Sequence, residues 1–195
     1  MKLYHAPGSC SQAPHIALNE AGLSFDRIKV DIPTRTTETG GDFTKINPKG
    51  YVPALVLDDG EVLTENVAII TWIAEQAPHL IPSGTLGRIR MIEALGFMTE
   101  ELHKPFLTYM FLPGDEMKAI NRRVLGERFD YLAGQLKGAY LFGDAFSAAD
   151  AFLFVMVSWG RGFFDVKPPA ALEAYHARVA ARPAVQATLK AEGFA

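Results

Sequence analysis

The chain has 195 residues and a net charge of −3, and 49% of its residues are hydrophobic against 21% charged. This length suits one large domain or two small ones, and the apolar content supports a substantial core and excludes a disordered chain. The slightly negative charge argues against general attraction to nucleic acid, and no apolar run is long enough to span a membrane.

The chain starts without the apolar segment and small-residue cleavage site of a signal peptide. Its single cysteine, Cys10, cannot form an internal disulfide, which fits a reducing compartment. We therefore expect a cytoplasmic protein. Any redox partner of Cys10 has to come from another molecule.

The first residues predict a strand, a turn and a helix. Residues 2–5 are strand-like, Pro7 and Gly8 interrupt the run, and residues 12–21 place apolar side chains at helical spacing. Cys10 falls at the helix N-terminus, where unpaired N–H groups and a partial positive charge stabilise an anion. We expect its thiol to ionise more readily than a free cysteine. The alternative is a small buried filler.

A second strand completes a β-α-β opening. Gly22 is placed as the helix C-cap, and residues 25–30 alternate apolar and polar side chains. The connection predicts parallel strands with a right-handed crossover. The polar residues 31–42 predict a surface loop. In it, Arg35 is either a solvated charge or a cation facing a ligand carboxylate.

A hairpin and a helix follow. A turn at residues 47–50 leads into two strand-like runs joined at residues 58–60. Pro53 belongs at a strand start or edge, because proline cannot donate to a ladder. A cis Val52–Pro53 bond would turn the Val52 backbone toward an extended ligand, although proline alone does not predict the cis form.

The apolar helical run at residues 67–77 has Thr64 as its expected cap, with Glu65 and Asn66 in its first turn. Glu65 either complements the helix dipole or accepts a hydrogen bond from a ligand ammonium group.

The second half of the chain predicts helices only. Residues 78–84 contain two prolines and a glycine, which interrupt the pattern. We therefore expect an N-terminal domain at 1–78, a linker at 79–86 and an all-helical domain at 87–195. Pro105 should kink or end the first helix of the second domain.

The run at residues 148–159 is apolar on nearly every side and predicts a buried central helix. Ser147 precedes it, with Asp150 three residues on, in a capping-box pattern that indicates a structural role. The histidines are scattered without metal-ligand spacing, and a single cysteine rules out cysteine-pair zinc signatures. We expect no metal.

Three segments together carry a family resemblance. The strand-loop-helix around Cys10, the run Asn-Pro-Lys-Gly-Tyr-Val-Pro-Ala-Leu at 47–55 and the run Leu-Thr-Glu-Asn-Val-Ala-Ile-Ile at 63–70 resemble the thioredoxin-like domain of glutathione transferases. The Pro-Gly-Ser-Cys-Ser run at 7–11 is similar to the bacterial beta class. The resemblance spans essentially the whole chain. It implies an α/β thioredoxin-like N-terminal domain of order βαβ-α-ββα, an all-α C-terminal domain and a homodimer.

The resemblance also implies glutathione as co-substrate. Val52 would pair its backbone with the cysteinyl part, Glu65 and Asn66 would hold the γ-glutamyl end, and Arg35, where a lysine is usual, would reach the glycyl carboxylate. The implied glutathione-binding residues are Cys10, Arg35, Val52, Pro53, Glu65, Asn66, His103 and Lys104, of which Cys10 and His103 are the catalytic pair. The implied hydrophobic substrate site consists of Phe106, Tyr109, Trp159 and Phe163.

Two positions depart from the beta-class pattern. His5 replaces a frequent tyrosine, and Gly96 replaces an asparagine that helps to bind glutathione. Losing one donor to a charged group weakens binding by roughly 1.5–3 kcal/mol. We expect functional but weaker binding.

The implied reaction is attack of the glutathione thiolate on hydrophobic electrophiles, with Cys10 beside the sulfur and able to form a mixed disulfide. One alternative is a glutathione-dependent thiol–disulfide oxidoreductase or dehalogenase on the same fold. A non-catalytic protein that binds glutathione or hydrophobic ligands ranks last.

Overall fold

A computed structural model describes residues 1–111, 114–162, 164 and 166–194. The chain forms two compact units: Met1–Leu80 with the segment from Pro183 onward, and Ile81–Arg182. The sequence-based division placed all of 87–195 in one helical domain. The structure differs at the last helix, which packs against the first helix of the chain and so belongs to the first unit.

A five-stranded mixed sheet forms the centre of the first unit. In chain order, its strands are β1 (Lys2–His5), β2 (Asp26–Asp31), β3 (Thr36–Thr37), β4 (Ala54–Val56) and β5 (Val62–Thr64). Their order across the sheet is β3-β2-β1-β4-β5. β1 and β2 are parallel, as the β-α-β pattern predicts, and β4 and β5 form the predicted antiparallel hairpin.

Three helices belong to this unit: α1 (Gln12–Ala21), α2 (Asn66–Gln76) and α8 (Pro183–Glu192). α1 ends at Gly22, which has a φ of 68° and donates from its backbone to Asn19 and Leu18, so the predicted C-cap is confirmed. Both α2 and α8 pack against α1.

The connection between β2 and β4 contains no full helix in the described residues. It holds the short strand β3 and a single 3₁₀ turn, Phe43–Lys45, where the βαβ-α-ββα order predicts a helix. The preceding residues are polar and rich in Thr and Gly, so they lack the apolar stripe that a packed helix needs. Within the turn itself, Phe43 is an apolar residue that does pack against the sheet. Its fully buried ring lies 5.6 Å from the ring of Tyr4.

The second unit is helical. Its helices are α3 (Gly87–Met98), α4 (Lys104–Phe111), α5 (Asp115–Gln135), α6 (Ala148–Gly162) and α7 (Ala170–Ala180). α3 and α4 are joined by a π-helical turn, Thr99–His103. Pro105 lacks a backbone N–H, and in a regular helix its ring would meet the carbonyl of Glu101. The predicted irregularity therefore takes the form of a π turn, after which the helix continues.

α6 is the predicted buried central helix, and Asp150 in its first turn is completely buried. Asp150 accepts hydrogen bonds from the backbone N–H of Ser147 at 2.8 Å and of Leu141 at 2.9 Å. The hydroxyl groups of Ser147 and Tyr175 donate to it at 2.6 and 3.0 Å. One carboxylate thus joins the start of α6, the loop before it and α7.

Among the described residues, no helix combines the length and the apolar character needed to cross a bilayer.

Candidate functional site

Cys10 lies in the loop between β1 and α1, directly before the helix cap Ser11. Its side chain is 8% exposed, and its Sγ lies 3.7 Å from the carbonyl oxygen of Val52. The hydroxyl of Ser11 donates to the carbonyl of Ala6 at 3.2 Å and accepts from the N–H of the same residue at 3.0 Å. These bonds fix the loop that presents the thiol.

The pKa of Cys10 is raised, whereas its position at a helix N-terminus predicts a lowered pKa. Burial raises the pKa of the thiol to about 11, and the nearby charge of Glu65 adds to the increase. A hydrogen bond from the side chain of Asn66 acts in the other direction but does not offset burial. At neutral pH the group is therefore a thiol, and the prediction of a readily ionised cysteine is wrong for this fold.

The loop before β4 brings Val52 and Pro53 to the Cys10 side of the sheet. The Val52–Pro53 peptide bond is cis, the possibility that proline alone left open. The turn ahead of it is held by Asn47, which donates to the carbonyl of Tyr51 at 2.6 Å and accepts from the N–H of Lys49 at 3.2 Å. This turn sets the position at which the backbone enters the strand.

Glu65 and Asn66 stand at the start of α2. Glu65, with a φ of 73°, is the helix cap, whereas Thr64, the expected cap, ends β5. The carboxylate of Glu65 forms an ion pair with Lys49 and accepts a hydrogen bond from the hydroxyl of Tyr51 at 2.9 Å. The bond to Glu65 raises the pKa of Lys49.

Asn66 supplies a polar group that the described part of the chain does not satisfy. Its side chain is 7% exposed, and its Oδ1 is buried without a hydrogen-bond partner among the described residues. Because the amide also contacts the Cys10 thiol, this acceptor lies beside the sulfur. A buried unpaired acceptor is costly unless a ligand donor reaches it.

Arg35 adopts a positive φ of 57° and lies against the turn at 47–50. A Cβ on Gly50, which has a φ of 74°, would stand 3.0 Å from the Nε atom of Arg35. The backbone carbonyl of Arg35 accepts from the N–H of Phe43 at 2.9 Å. The guanidinium thus lies beside the turn at 47–50.

The predicted residues on the π turn and α4 belong to the second unit. The ring of His103 lies 5.4 Å from that of Trp159 and 6.1 Å from that of Phe152. Lys104 is exposed and pairs with Glu100 at 2.9 Å, which raises its pKa.

The predicted hydrophobic substrate residues differ in exposure. Phe106 is completely buried among the rings of Phe129, Trp159 and Phe164, so it is a core residue and presents no surface to a substrate. Trp159 is 6% exposed and Tyr109 is half-buried. Phe163 lies outside the described residues.

The second unit also has a cavity of about 640 Å³ between α3 and α5. Its lining includes Arg90, Phe97 and Tyr131 and none of the described residues predicted for the substrate site.

The first unit thus brings Cys10, Val52 and Asn66 together, with Glu65 at the start of the same helix. Sequence reasoning missed Lys49 and Tyr51, which flank Gly50 and contact Glu65. The signal was present, because Lys49 lies in the turn at 47–50 and Tyr51 directly follows it.

Comparisons with known proteins agree with this architecture. The family model of the glutathione S-transferase N-terminal domain matches residues 8–76, and the family model of the C-terminal domain matches residues 100–192. The glutathione S-transferase GstA of Escherichia coli O157:H7 is 40% identical over 201 residues, covering 100% of both chains.

Solved structures give the same result. A sphingomonad glutathione S-transferase in complex with glutathione is 46% identical, with a TM-score of 0.90 and 100% of both chains covered. The beta-class glutathione S-transferase of Sphingomonas chungbukensis is also 46% identical, with a TM-score of 0.89 and the same coverage. The chain therefore belongs to the glutathione S-transferase family, and it is a glutathione transferase that resembles the bacterial beta class.

Proposed function

We propose that this protein binds glutathione and transfers its thiolate to hydrophobic electrophiles, with Cys10 beside the glutathione sulfur. The observation that carries the proposal is the convergence of the Cys10 thiol, the Val52 carbonyl at 3.7 Å and the buried unpaired Oδ1 of Asn66. An extended peptide thiol offers a sulfur, backbone amides and an ammonium group, which match these three features.

The charged ends of glutathione have matching partners in the first unit. Glu65 and Asn66 would take the γ-glutamyl end, with the ammonium group donating to the carboxylate and to the Asn66 Oδ1. Since Lys49 and Tyr51 already contact Glu65, the ammonium would join an existing cluster, in which Lys49 supplies a cation for the γ-glutamyl carboxylate. Arg35 would meet the glycyl carboxylate.

The pKa of Cys10 suggests how it acts. With a pKa of about 11, roughly one Cys10 in ten thousand is ionised at neutral pH. A neutral thiol donates a weak hydrogen bond, so Cys10 stabilises the glutathione thiolate instead of attacking the substrate itself. The thiolate then forms a bond to the electrophilic carbon, and the leaving group departs with its electron pair. His103 and Lys104 enter the proposal as further residues that favour the thiolate.

A second function on the same residues is thiol–disulfide exchange. In that reaction the Cys10 sulfur attacks oxidised glutathione, one glutathione thiolate leaves, and a mixed disulfide remains. The presence of a single thiol beside the proposed sulfur position favours it, but the high pKa slows it. Dehalogenation is a special case of the first reaction, with halide as the leaving group.

The test uses Cys10→Ala and Cys10→Ser in a conjugation assay with a chlorodinitrobenzene. If Cys10 donates a hydrogen bond, the alanine variant loses about tenfold in kcat/KM, and serine, which also donates, recovers most of that loss. Intact mass after incubation with oxidised glutathione follows the mixed disulfide. Equal losses in both variants, with rapid adduct formation in the native protein, would favour exchange. No conjugation and no retention on immobilised glutathione would contradict both enzymatic functions.

We also propose a cytoplasmic homodimer, on the basis of the family resemblance. Exposed apolar side chains on and beside α3 and α4 are compatible with an interface; they are Leu86, Ile89, Met110 and Phe111. Light scattering coupled to gel filtration measures the mass, and a monomer at micromolar concentration would contradict the dimer.

A further inference from the structure

A buried polar cluster joins three elements of the first unit. His5 ends β1, His15 lies in α1 and Glu192 ends α8, and their side chains are 5%, 2% and 0% exposed. One nitrogen or oxygen atom from each residue lies within 4.8 Å of the other two. Two imidazoles and a carboxylate at this separation form a ligand set that transition metals favour.

The hydrogen bonds of Glu192 fix its carboxylate. One oxygen, Oε2, accepts from the backbone N–H of Gly8 and from the side chain of Gln12, both at 3.0 Å. The other, Oε1, bonds to Nδ1 of His15 at 2.7 Å. Outer contacts of this kind orient a metal-binding carboxylate in known sites.

His5 supplies the unsatisfied atom of the cluster. Its Nδ1 is buried and lies 3.6 Å from Oε1 of Glu192, too far for a hydrogen bond. The described residues give this nitrogen no hydrogen-bond partner, although it points toward an acceptor. A cation between the two atoms would satisfy both.

We propose that His5, His15 and Glu192 form a binding site for a divalent transition-metal ion, with Zn²⁺ as the best match. In a tetrahedral zinc site with bonds of 2.0–2.1 Å, neighbouring ligand atoms are about 3.3 Å apart. The distances from Oε1 to the two histidine nitrogens, 2.7 and 3.6 Å, lie on either side of that value. The first pair would open by about 0.6 Å and the second would close by about 0.3 Å to reach it.

The hydrogen bond between Nδ1 of His15 and Oε1 of Glu192 occupies two of the atoms that would hold the ion. On binding, the His15 proton moves to Nε2, and Nδ1 and Oε1 exchange their mutual hydrogen bond for bonds to the ion.

One neighbouring charge opposes the cation. Arg27 donates to the carbonyl of Ala191, the residue before Glu192, at 2.8 Å. Removing this charge is expected to strengthen metal binding. None of its three ligands is a residue proposed to bind glutathione, and the N–H of Gly8 connects Glu192 to the loop that carries Cys10.

The experiment uses protein without a histidine tag, treated with a chelator and titrated with Zn²⁺ in a calorimeter and with Co²⁺ followed by visible absorption. We expect one ion to bind per chain, and we expect bound Co²⁺ to show the visible absorption typical of nitrogen and oxygen ligands. His5→Asn and Glu192→Gln should each weaken binding by at least about tenfold, and Arg27→Gln should strengthen it. His79→Asn, at an exposed histidine of the same unit, is the matched control.

Circular dichroism checks that each variant is folded. If Glu192→Gln does not fold, Arg27→Gln still tests the proposal. The proposal is overturned if the native chain binds no ion at millimolar Zn²⁺, or if His5→Asn binds as tightly as the native chain. Loss of binding in Cys10→Ala would also overturn it, because the thiol would then be the ligand.

Discussion

The hydroxyl group of Tyr51 donates a hydrogen bond to the Glu65 carboxylate at 2.9 Å, and Lys49 pairs with the same oxygen. The loop before the cis Val52–Pro53 bond thereby holds the residue proposed to receive the ammonium group of glutathione. A negative charge kept in place by its neighbours orders a ligand at less entropic cost than a free side chain does.

Glu65→Gln is expected to raise KM for glutathione about 10- to 100-fold with little change in kcat. A hydrogen bond to a charged group contributes about 1.5–3 kcal/mol, and the variant removes the charge while keeping the shape. Steady-state kinetics with varied glutathione measure the effect, because a uniform loss of binding appears in KM.

Tyr51→Phe is the matched control for Glu65→Gln. It removes one exposed hydrogen bond to the carboxylate and leaves the charge. We therefore expect glutathione binding to weaken by only about 0.5 kcal/mol. Equal losses in the two variants would show that the hydroxyl, and not the charge of Glu65, supports binding.

Gly50→Ala is expected to lower the free energy of unfolding by about 1–2 kcal/mol, because a residue with a Cβ is strained at the positive φ of this position. The new Cβ also crowds Arg35, at 3.0 Å from Nε, and this adds to the loss. Gly60→Ala is the control, because Gly60 also has a positive φ, 93°, but open space around it. Urea unfolding of both variants measures the difference.

The Arg35→Ala background separates the two causes. If crowding contributes, Gly50→Ala costs less in that background than in the native chain. An identical cost in both backgrounds would assign the whole effect to backbone strain.

The elements that the sequence predicted well depend on local patterns. The strand around Leu3, the helix capped by Gly22 and the hairpin after Pro53 each follow from periodicity and turn residues within a few positions. The π turn ahead of Pro105 was foreseen only as an irregularity, because proline excludes a regular turn without specifying its replacement.

The site was predicted less completely, because its chemistry depends on distant contacts. The position of Cys10 at a helix N-terminus is visible in the sequence, but its burial against Val52 and Asn66 is not, and burial determines the pKa. Glu192 lies 177 residues from His15, so no spacing rule relates them. Phe106 has the right residue type for a substrate site but lies in the core.

Asp150→Ala is expected to lower the free energy of unfolding by about 3–5 kcal/mol. It leaves the buried N–H groups of Leu141 and Ser147 without their carboxylate acceptor, whereas the hydroxyl of Tyr175 keeps the backbone carbonyl of residue 150 at 3.1 Å. Ser147→Ala removes only the capping hydroxyl and should cost about 1 kcal/mol.

Asp144→Ala is the control for Asp150→Ala, since Asp144 also accepts from a backbone N–H, that of Ala139 at 3.1 Å, but on the surface. Denaturant unfolding of the three variants ranks them. A loss at Asp150 no larger than that at Asp144 would contradict a structural role for the capping box.

The final prediction concerns the pH dependence of stability through His176. This ring stacks on Phe154 with centroids 4.5 Å apart. Nδ1 of His176 accepts from Arg161 at 2.6 Å, and Nε2 donates to the hydroxyl of Ser158 at 2.8 Å. Burial, with the charge of Arg161, lowers the pKa of His176 to about 4.

Since the unfolded chain binds this proton near pH 6.5 and the folded chain only near pH 4, the stability of the native protein falls as the pH drops through that range. The contribution of His176 to this fall approaches about 3 kcal/mol at pH 4. Replacing His176 with Phe keeps a ring against Phe154 and removes the titration. The stability of His176→Phe relative to the native protein should therefore improve steadily from pH 7 to pH 4 in urea unfolding. His79→Phe, at an exposed histidine, should follow the native profile, and parallel curves for the native protein and His176→Phe would show that His176 is not the group that titrates.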